Sequence, residues 1–331
     1  MWTDDSCSKV QWLGSKEIAG IHHVTAIAGD PQHNINFYAG ILGLRLVKLT
    51  VNYDDPGTYH LYYGDTIGHP GSIMTFFPWP GGEKGRHGTG QLTTTSFSVP
   101  ESSLEYWMLR FNEHKIAFDQ PITRFDQRVV SFHDYDGLRL ELVEDGTDRR
   151  NPWEEGPVTP EKAIRGFHGV TLSEEGYERT AWLLKDILGF KPSKEENNRF
   201  RYEAQVSEPG GIVDVLCTPD SPHGNVSVGT VHHVAWRTHD DQQQREWRQN
   251  IVDVGLDVTP VIDRKYFHSI YFREPGGVLF EIATDPPGFT IDQPLAELGT
   301  RLVLPTWLEP LRKELEQTLP AVHLRNKDLS K

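Results

Sequence analysis

The chain has 331 residues, of which 37% are hydrophobic and 24% charged, with a formal net charge of −14. That length suits about two domains of ordinary size, and the composition is globular rather than disordered. The acidic balance, with no Lys/Arg run of five or more, excludes nucleic acid as an expected partner, because phosphate binding needs clustered cations.

The chain starts Met1-Trp2-Thr3-Asp4-Asp5, without a basic stretch leading into an apolar core, so no secretory signal is expected. No apolar run approaches the ~18 residues of a membrane span. The two cysteines, Cys7 and Cys217, lie in dissimilar contexts, and a reducing compartment is the simpler reading than a disulfide. The expectation is a soluble, cytoplasmic protein with no membrane partner; oligomerisation with identical copies stays open.

The first element is a strand at Ile21-His22-His23-Val24-Thr25-Ala26, alternating small or apolar positions with polar ones. Asp30-Pro31 then starts a helix, with the acid as N-cap and proline at the first helical position, and Ile41-Leu42-Gly43-Leu44 ends it. Three strand-like segments follow, the last two joined at Pro70-Gly71, with a final strand from Ser72 to Phe77. The pattern recurs at Leu92-Thr93-Thr94-Thr95-Ser96-Phe97, with a turn at Asp136-Gly137 and a final strand from Leu138 to Val143. The segment 146–166, rich in Pro, Glu and Arg, reads as a linker. A third copy starts at Phe167-His168-Gly169-Val170-Thr171-Leu172. Its helix spaces Tyr177, Ala181, Leu184 and Leu188, and Ile187-Leu188-Gly189-Phe190 ends it. After Pro209-Gly210-Gly211 its last strand runs from Ile212 to Cys217. A fourth starts at Val231-His232-His233-Val234-Ala235-Trp236 and ends, after Pro275-Gly276-Gly277, in Val278 to Ala283.

The fold class is therefore α+β: four βαβββ modules forming two domains of curved mixed sheets, plus a C-terminal helical tail. The expected division is 18–150 for an N-terminal pair of modules and 163–290 for a C-terminal pair. A tail at 291–331 carries a helix striped by Leu308, Leu311, Leu315 and Leu319 and ended by Pro320.

Aligning the copies gives His23, Thr94, His168 and His233 on the first strands, and Phe76, Glu141, Val215 and Glu281 on the last. Both positions face one concave surface, so the candidate metal ligands are three histidines and two glutamates. Two histidines with one carboxylate bind one face of an octahedral ion and leave three positions open, the usual arrangement for non-haem iron(II) and O₂. A lone strand histidine is more often structural than a ligand, and His33, His114, His239 and His323 read as surface residues, with His60 and His268 undecided. Recurrence of His-His in two modules, one of which also carries Glu281, shifts the balance toward metal. Spacing alone leaves two sets open, His168 or His23 with His233 and Glu281. His168 and Glu141 could also be remnants of a second site.

Ile-His-His-Val-Thr at one end and Gly-Gly-Val-Leu-Phe-Glu at the other, across four modules, resemble the vicinal oxygen chelate, or glyoxalase/bleomycin resistance, superfamily. More narrowly, the chain resembles the ring-cleaving dioxygenases of hydroquinones, through Tyr59-His60-Leu61-Tyr62-Tyr63, Arg165-Gly166-Phe167-His168 and Asp263-Arg264-Lys265 as well. The resemblance implies Fe(2+), with Mn(2+) as the alternative, held by His23, His233 and Glu281. It maps outer residues onto His22, His232 and Thr25, and a basic residue and a tyrosine onto Arg264 and Tyr271. On that reading His22 or His232 moves a proton. Arg264 and Tyr271 stabilise developing charge and, with Thr25, bind a small aromatic diol that reacts with O₂. The competing readings are a glyoxalase-like metal-dependent lyase or isomerase, and a non-catalytic binding protein for a hydrophobic compound.

Overall fold

The structure is a computed structural model and describes residues 18–205 and 209–324, so Cys7 lies outside the described residues. Four βαβββ units are present. The first comprises β1 (Ile21–Ala28), α1 (Pro31–Ile35), β2 (Arg45–Val51), β3 (Tyr59–Gly64) and β4 (Ile73–Pro78). The second has β5 (Gln91–Val99), α2 (Leu104–Glu113), β6 (Ile122–Arg124), β7 (Gln127–His133) and β8 (Arg139–Glu144). The third has β9 (Gly166–Glu174), α3 (Glu178–Trp182), β10 (Lys191–Glu196), β11 (Arg199–Glu203) and β12 (Ile212–Cys217). The fourth has β13 (Val231–Thr238), α4 (Asp241–Asp253), β14 (Ile262–Asp263), β15 (Phe267–Arg273) and β16 (Leu279–Pro287). Local signals explain the helix ends: the Asp30 side chain accepts from the His33 N–H at the start of α1, and Gly43 takes φ +74° just past the π-helical turn Asn36–Ile41 that continues it.

The units pair in nested order, which corrects the expected division into an N-terminal and a C-terminal pair. One eight-stranded sheet runs β14-β15-β16-β13-β1-β4-β3-β2, joining the fourth unit to the first. The other runs β10-β11-β12-β9-β5-β8-β7-β6, joining the third to the second. The seams are the antiparallel ladders β1–β13 and β5–β9. Each module leaves the edge of its first strand open, and closing that edge against a distant copy buries it as well as a neighbour would. The two crossovers run side by side, with bridges Lys84–Val228, Arg86–Asn225 and Thr89–His223. Arg150, in the linker, ties the sheets together by donating to the carbonyls of Gly71 and Phe167.

Register also corrects the equivalences drawn from spacing. In β1–β13, Ile21 pairs with Trp236 and His23 with Ala235, which leaves His22 as an unpaired bulge residue. Thr25 pairs with His233 and Ala26 with Val231, which leaves His232 in the same state. The second seam has bulges at Thr93 and His168. His168 thus corresponds to the first histidine of each pair, and the ligand position reads His23, Thr94, Gly169, His233. On the last strands, the left-handed turn glycines Gly71, Gly137, Gly210 and Gly277 set the frame. The residue four beyond each reads Thr75, Glu141, Asp214, Glu281. Phe76 and Val215 point to the opposite face, into the main core. The left-handed glycine is the first of its pair at Gly210 but the second at Gly277, a difference that counting along the sequence does not show.

On that core face Val24, Phe76, Val234, Trp236 and Phe280 pack with Phe37 and Tyr38 of the first unit's helical segment and with Trp247 and Ile251 of α4. The tail forms α5 (Arg312–Thr318) after a single tight turn. Leu308, Leu315 and Leu319 are buried as the stripe requires, whereas Leu311 is exposed. The stretch between β16 and α5 is a strap across the concave face. Phe289 and Leu298 pack there with Tyr62, Tyr266 and Phe267, and Lys48, fully buried, donates to Asp292, Gln293 and the Phe289 carbonyl.

Candidate metal centre

The β1–β13 seam brings His23 and His233 together, and β16 lies beside β13 with Glu281 on the same face. His23 Nε2 lies 3.2 Å from His233 Nε2 and 3.2 Å from Glu281 Oε2, and His233 Nε2 lies 3.0 Å from the same oxygen. Two bonds of roughly 2.1 Å meeting at a right angle hold their donor atoms about 3.0 Å apart. The triangle therefore has the dimensions of one face of an octahedral divalent ion, and all three side chains are buried.

The hydrogen-bond pattern shows why these atoms face one another. His22 Nε2 lies 3.2 Å from the Thr284 carbonyl, which can only accept, so that nitrogen carries the hydrogen. His22 Nδ1, 2.9 Å from His23 Nδ1, is then the acceptor, and His23 holds its own hydrogen on Nδ1. A lone pair is left on His23 Nε2, aimed at the centre of the triangle. Burial first, then His23, pushes the His22 imidazole well below its usual range, which keeps it neutral. His232 Nδ1 approaches His233 Nδ1 at 2.7 Å in the same way. Burial opposes the charge on Glu281, but His23 and His233 outweigh it and hold the carboxyl well below the usual range. Its Oε1 accepts from Ser269, whereas buried Oε2 has no hydrogen-bond donor among the described residues. Two imidazole lone pairs and an unsatisfied carboxylate oxygen, converging in a buried place, fit a cation and little else.

The bulges are what make this possible. Without His22 out of register, consecutive side chains would alternate faces, and the first histidine could not reach the second from behind. The expectation that His22 or His232 moves a proton to a substrate is not matched by their placement. Both lie behind the ring of their neighbour, on the side away from the triangle, where they orient it.

Other expected residues surround the triad. Tyr271 pairs with Glu281 across β15–β16, and its ring packs at 5.8 Å from that of His233. Arg264 Nε donates to the Tyr271 hydroxyl at 3.2 Å, and Arg264 Nη1 reaches Asp54 at 2.8 Å. Burial, then Glu281, pushes the Tyr271 hydroxyl up, so it stays protonated. Thr25 Oγ1 lies 3.2 Å from Thr75 Oγ1. His60, undecided from sequence, belongs to this group: its Nε2 contacts Thr75 Oγ1 at 2.7 Å and its Nδ1 the Tyr62 hydroxyl at 2.9 Å. Period-two alternation along Tyr59–Gly64 was the signal that His60 and Tyr62 share a face. His268 instead forms a surface pair with Asp241 at 2.6 Å. His33, His114, His239 and His323 are exposed.

The equivalent place in the second sheet is occupied differently. Glu141 accepts two bonds from Arg124 at 2.9 Å and one from Ser96 at 2.8 Å. Asp214 accepts from Arg201 and Arg199 at 2.7 to 3.0 Å. Guanidinium groups satisfy both carboxylates, and no imidazole stands at the ligand position.

Two sheets of two modules each, one of them holding a facial two-histidine, one-carboxylate set, define a class of metalloenzyme-like proteins built on paired βαβββ units. The chain belongs to the Glyoxalase/Bleomycin resistance protein/Dioxygenase superfamily, whose model matches residues 20–142 and 166–282. It is 47% identical to "Putative ring-cleaving dioxygenase MhqO" of Bacillus subtilis, over 95% of this chain and 100% of the relative. It is 33% identical to the chlorohydroquinone/hydroquinone 1,2-dioxygenase of Sphingobium indicum, over 92% of this chain and 97% of that one. A crystal structure from Bacillus subtilis, 47% identical, superposes with a TM-score of 0.90 and covers 94% of this chain and 100% of its own. Glyoxalase I from Zea mays, at 13% identity, shares the fold with a TM-score of 0.61, covering 80% of this chain and 92% of that one. Among the described residues no helix is long and apolar enough to cross a membrane.

Proposed function

We propose that the chain is an iron(II)-dependent dioxygenase that opens the ring of a hydroquinone or catechol with O₂, with His23, His233 and Glu281 as the metal ligands. The observation that carries this reading is the buried triangle with edges of 3.0 to 3.2 Å, on a chain similar over its length to a hydroquinone dioxygenase. Iron(II) bound there supplies Lewis acidity toward a phenolate and redox chemistry toward O₂. The residue related to Glu281 by the internal repeat is Thr75, a poor ligand, which favours three ligands over the four that would suit a Lewis-acid isomerase.

The protein's own groups perform the rest. His22 and His232 hold the ligand imidazoles in the tautomer that presents Nε2 inward. Arg264 keeps its charge and lies beside Tyr271, so an anionic diol is drawn toward this wall. Tyr271, protonated, donates its hydrogen bond to the second oxygen of the diol or to charge developing on the ring oxygen. His60, Tyr62 and Thr75 form a chain of hydrogen bonds that fixes the opposite wall. The strap, with Phe289 and Leu298 packed against Tyr62 and Tyr266, excludes water from one end of the concave face.

The test is anaerobic loading with iron(II), followed by oxygen uptake on a panel of hydroquinones and catechols. Equimolar loss of O₂ and of ring absorbance is expected for at least one member. Metal-replete protein that consumes no O₂ on the panel, yet isomerises a thiol adduct under argon, would contradict it.

A further inference from the structure

The outer sheet begins at β14 and ends at β2, so these strands are its opposite edges. Side chains from the two edges nonetheless meet across the concave face. Asp54, just beyond β2, accepts from Arg264 Nη1, just beyond β14, at 2.8 Å. A second bridge runs through the strap. Asp292 Oδ1 accepts from Lys48 Nζ of β2 at 2.6 Å, and Asp292 Oδ2 lies 2.5 Å from Lys265 Nζ, again just beyond β14. One strap carboxylate thus joins both edges of the sheet.

On the β14 side it holds the tight turn that carries Arg264. The Tyr266 N–H donates to the Arg264 carbonyl at 2.9 Å, and the Arg264 N–H to the Phe267 carbonyl at 3.0 Å. Between them Lys265 takes φ +70°, a left-handed conformation that persists in a residue with a side chain only where its surroundings hold it. The strap supplies that hold. The Tyr266 hydroxyl donates to Asp292 Oδ2 at 3.1 Å, beside the Lys265 ammonium, and the Gly288 N–H donates to the Tyr266 carbonyl at 2.9 Å. Lys48 Nζ and Lys265 Nζ also stand 5.0 and 5.7 Å from the centre of the Tyr266 ring. The turn so fixed sets Arg264 Nε 3.2 Å from the Tyr271 hydroxyl, with the guanidinium 5.3 Å from the Tyr271 ring.

We propose that Asp292 is a positioning residue: it clasps the two edges of the outer sheet and, through Lys265 and Tyr266, fixes the turn that aims Arg264 at a bound diol. The diol belongs to the ring-cleaving reading, on which this part rests; the clasp itself does not. Lys48 makes the clasp permanent. It is fully buried, and its other acceptors, Gln293 and the Phe289 carbonyl, are neutral, so a lifted strap would leave a buried charge without its counter-charge. Asp54 approaches the same guanidinium from solvent, with 70% of its side chain exposed, and such a pair is too weak to fix it.

The test is Asp292→Asn, read in two ways. In the metal-free protein, amide exchange over residues 262–268 should quicken by about tenfold or more, with β1 and β13 unchanged. In the iron-loaded protein, KM for hydroquinone should rise about tenfold, with kcat within about twofold of the parent and iron content unchanged. The direction separates aim from charge. Removing a carboxylate near Arg264 makes this wall more positive, so charge alone would lower KM for an anionic diol. Lys48→Met/Asp292→Asn, which buries no unpaired ammonium, should give the same two results and serves where the single variant does not fold. Unchanged exchange over 262–268, or a KM that stays or falls, would overturn the proposal. A parent protein that leaves hydroquinone intact would instead sink the ring-cleaving reading, and the exchange result alone would then decide the clasp.

Discussion

The two concave faces of this molecule occupy equivalent places in one repeated fold, yet they balance charge by opposite means. In the sheet of the outer units, Glu281 faces two imidazole nitrogens at 3.0 to 3.2 Å and no arginine, and its inward oxygen has no hydrogen-bond donor among the described residues. In the sheet of the inner units, Glu141 and Asp214 are each matched by arginine side chains. A buried carboxylate needs a cation in either case. One face contains its cations in the sequence and is complete when folded. On the function proposed above, the other takes its cation from outside, and coordination sites for chemistry come with it. Position in a fold thus does not define a metal site; the identity of the counter-charge does.

The sharpest way to break this contrast is to neutralise the two equivalent glutamates. Glu281→Gln should lower iron retention and turnover by more than about 100-fold, beyond the 10–100-fold typical of changes outside the ligand set. Glu141→Gln should leave iron content and turnover per folded molecule unchanged. Bound-metal analysis and oxygen uptake on the two purified variants decide it.

Stability should divide the other way. Arg124→Met leaves Glu141 buried without its bidentate partner, a loss of about 3–5 kcal/mol, read from denaturant unfolding. The double variant Arg124→Met/Glu141→Leu should regain most of it. An Arg124→Met protein as stable as the parent would mean that the guanidinium is not the cation of this face.

A subtler contrast lies in the bulge residues. His22→Phe should weaken metal affinity about 10–100-fold by releasing the tautomer of His23, with the fold intact by circular dichroism. His168→Phe, at the matching bulge of the other seam, should leave metal affinity unchanged. Equal affinities for parent and His22→Phe would assign that histidine to packing.

A pH-dependent contrast lies at the contact between the two halves, where Glu174 meets Glu274. A carboxyl whose folded-state pKa is raised adds stability at low pH and loses it as pH climbs. Here the window runs from the unfolded value near ~4.3 to about 9. Melting temperature should therefore fall with pH across that range, and Glu174→Gln should flatten the slope. A slope unchanged by the substitution would remove Glu174 as its source.

The four units, their turn glycines and the helix starts were legible in the sequence because they are local: each is written in a few consecutive residues. The same holds for His23, His233 and Glu281 as candidates, although spacing alone left His168 as the alternative to His23 and only the family resemblance chose between them. The pairing of units was not legible, since a module's open edge carries no mark of which copy closes it. The bulges at His22 and His168 were hidden for a related reason. A bulge is a property of two strands in register, and neither strand shows it alone. That is why His168 reads as a ligand from sequence, whereas the shift from Phe76 and Val215 to Thr75 and Asp214 comes from which glycine of each turn is left-handed, a backbone feature no single residue announces. The strap was missed because Lys48 and Asp292 are far apart in the chain, and a lysine inside a strand gives no hint of burial.

The most direct test is an anomalous difference map at the iron edge, from crystals of protein loaded anaerobically with iron(II). A single peak is predicted, about 2.1 Å from His23 Nε2, His233 Nε2 and Glu281 Oε2, with none between Glu141 and Asp214. Iron between the arginine-paired carboxylates, or none at the two imidazoles, would contradict the account.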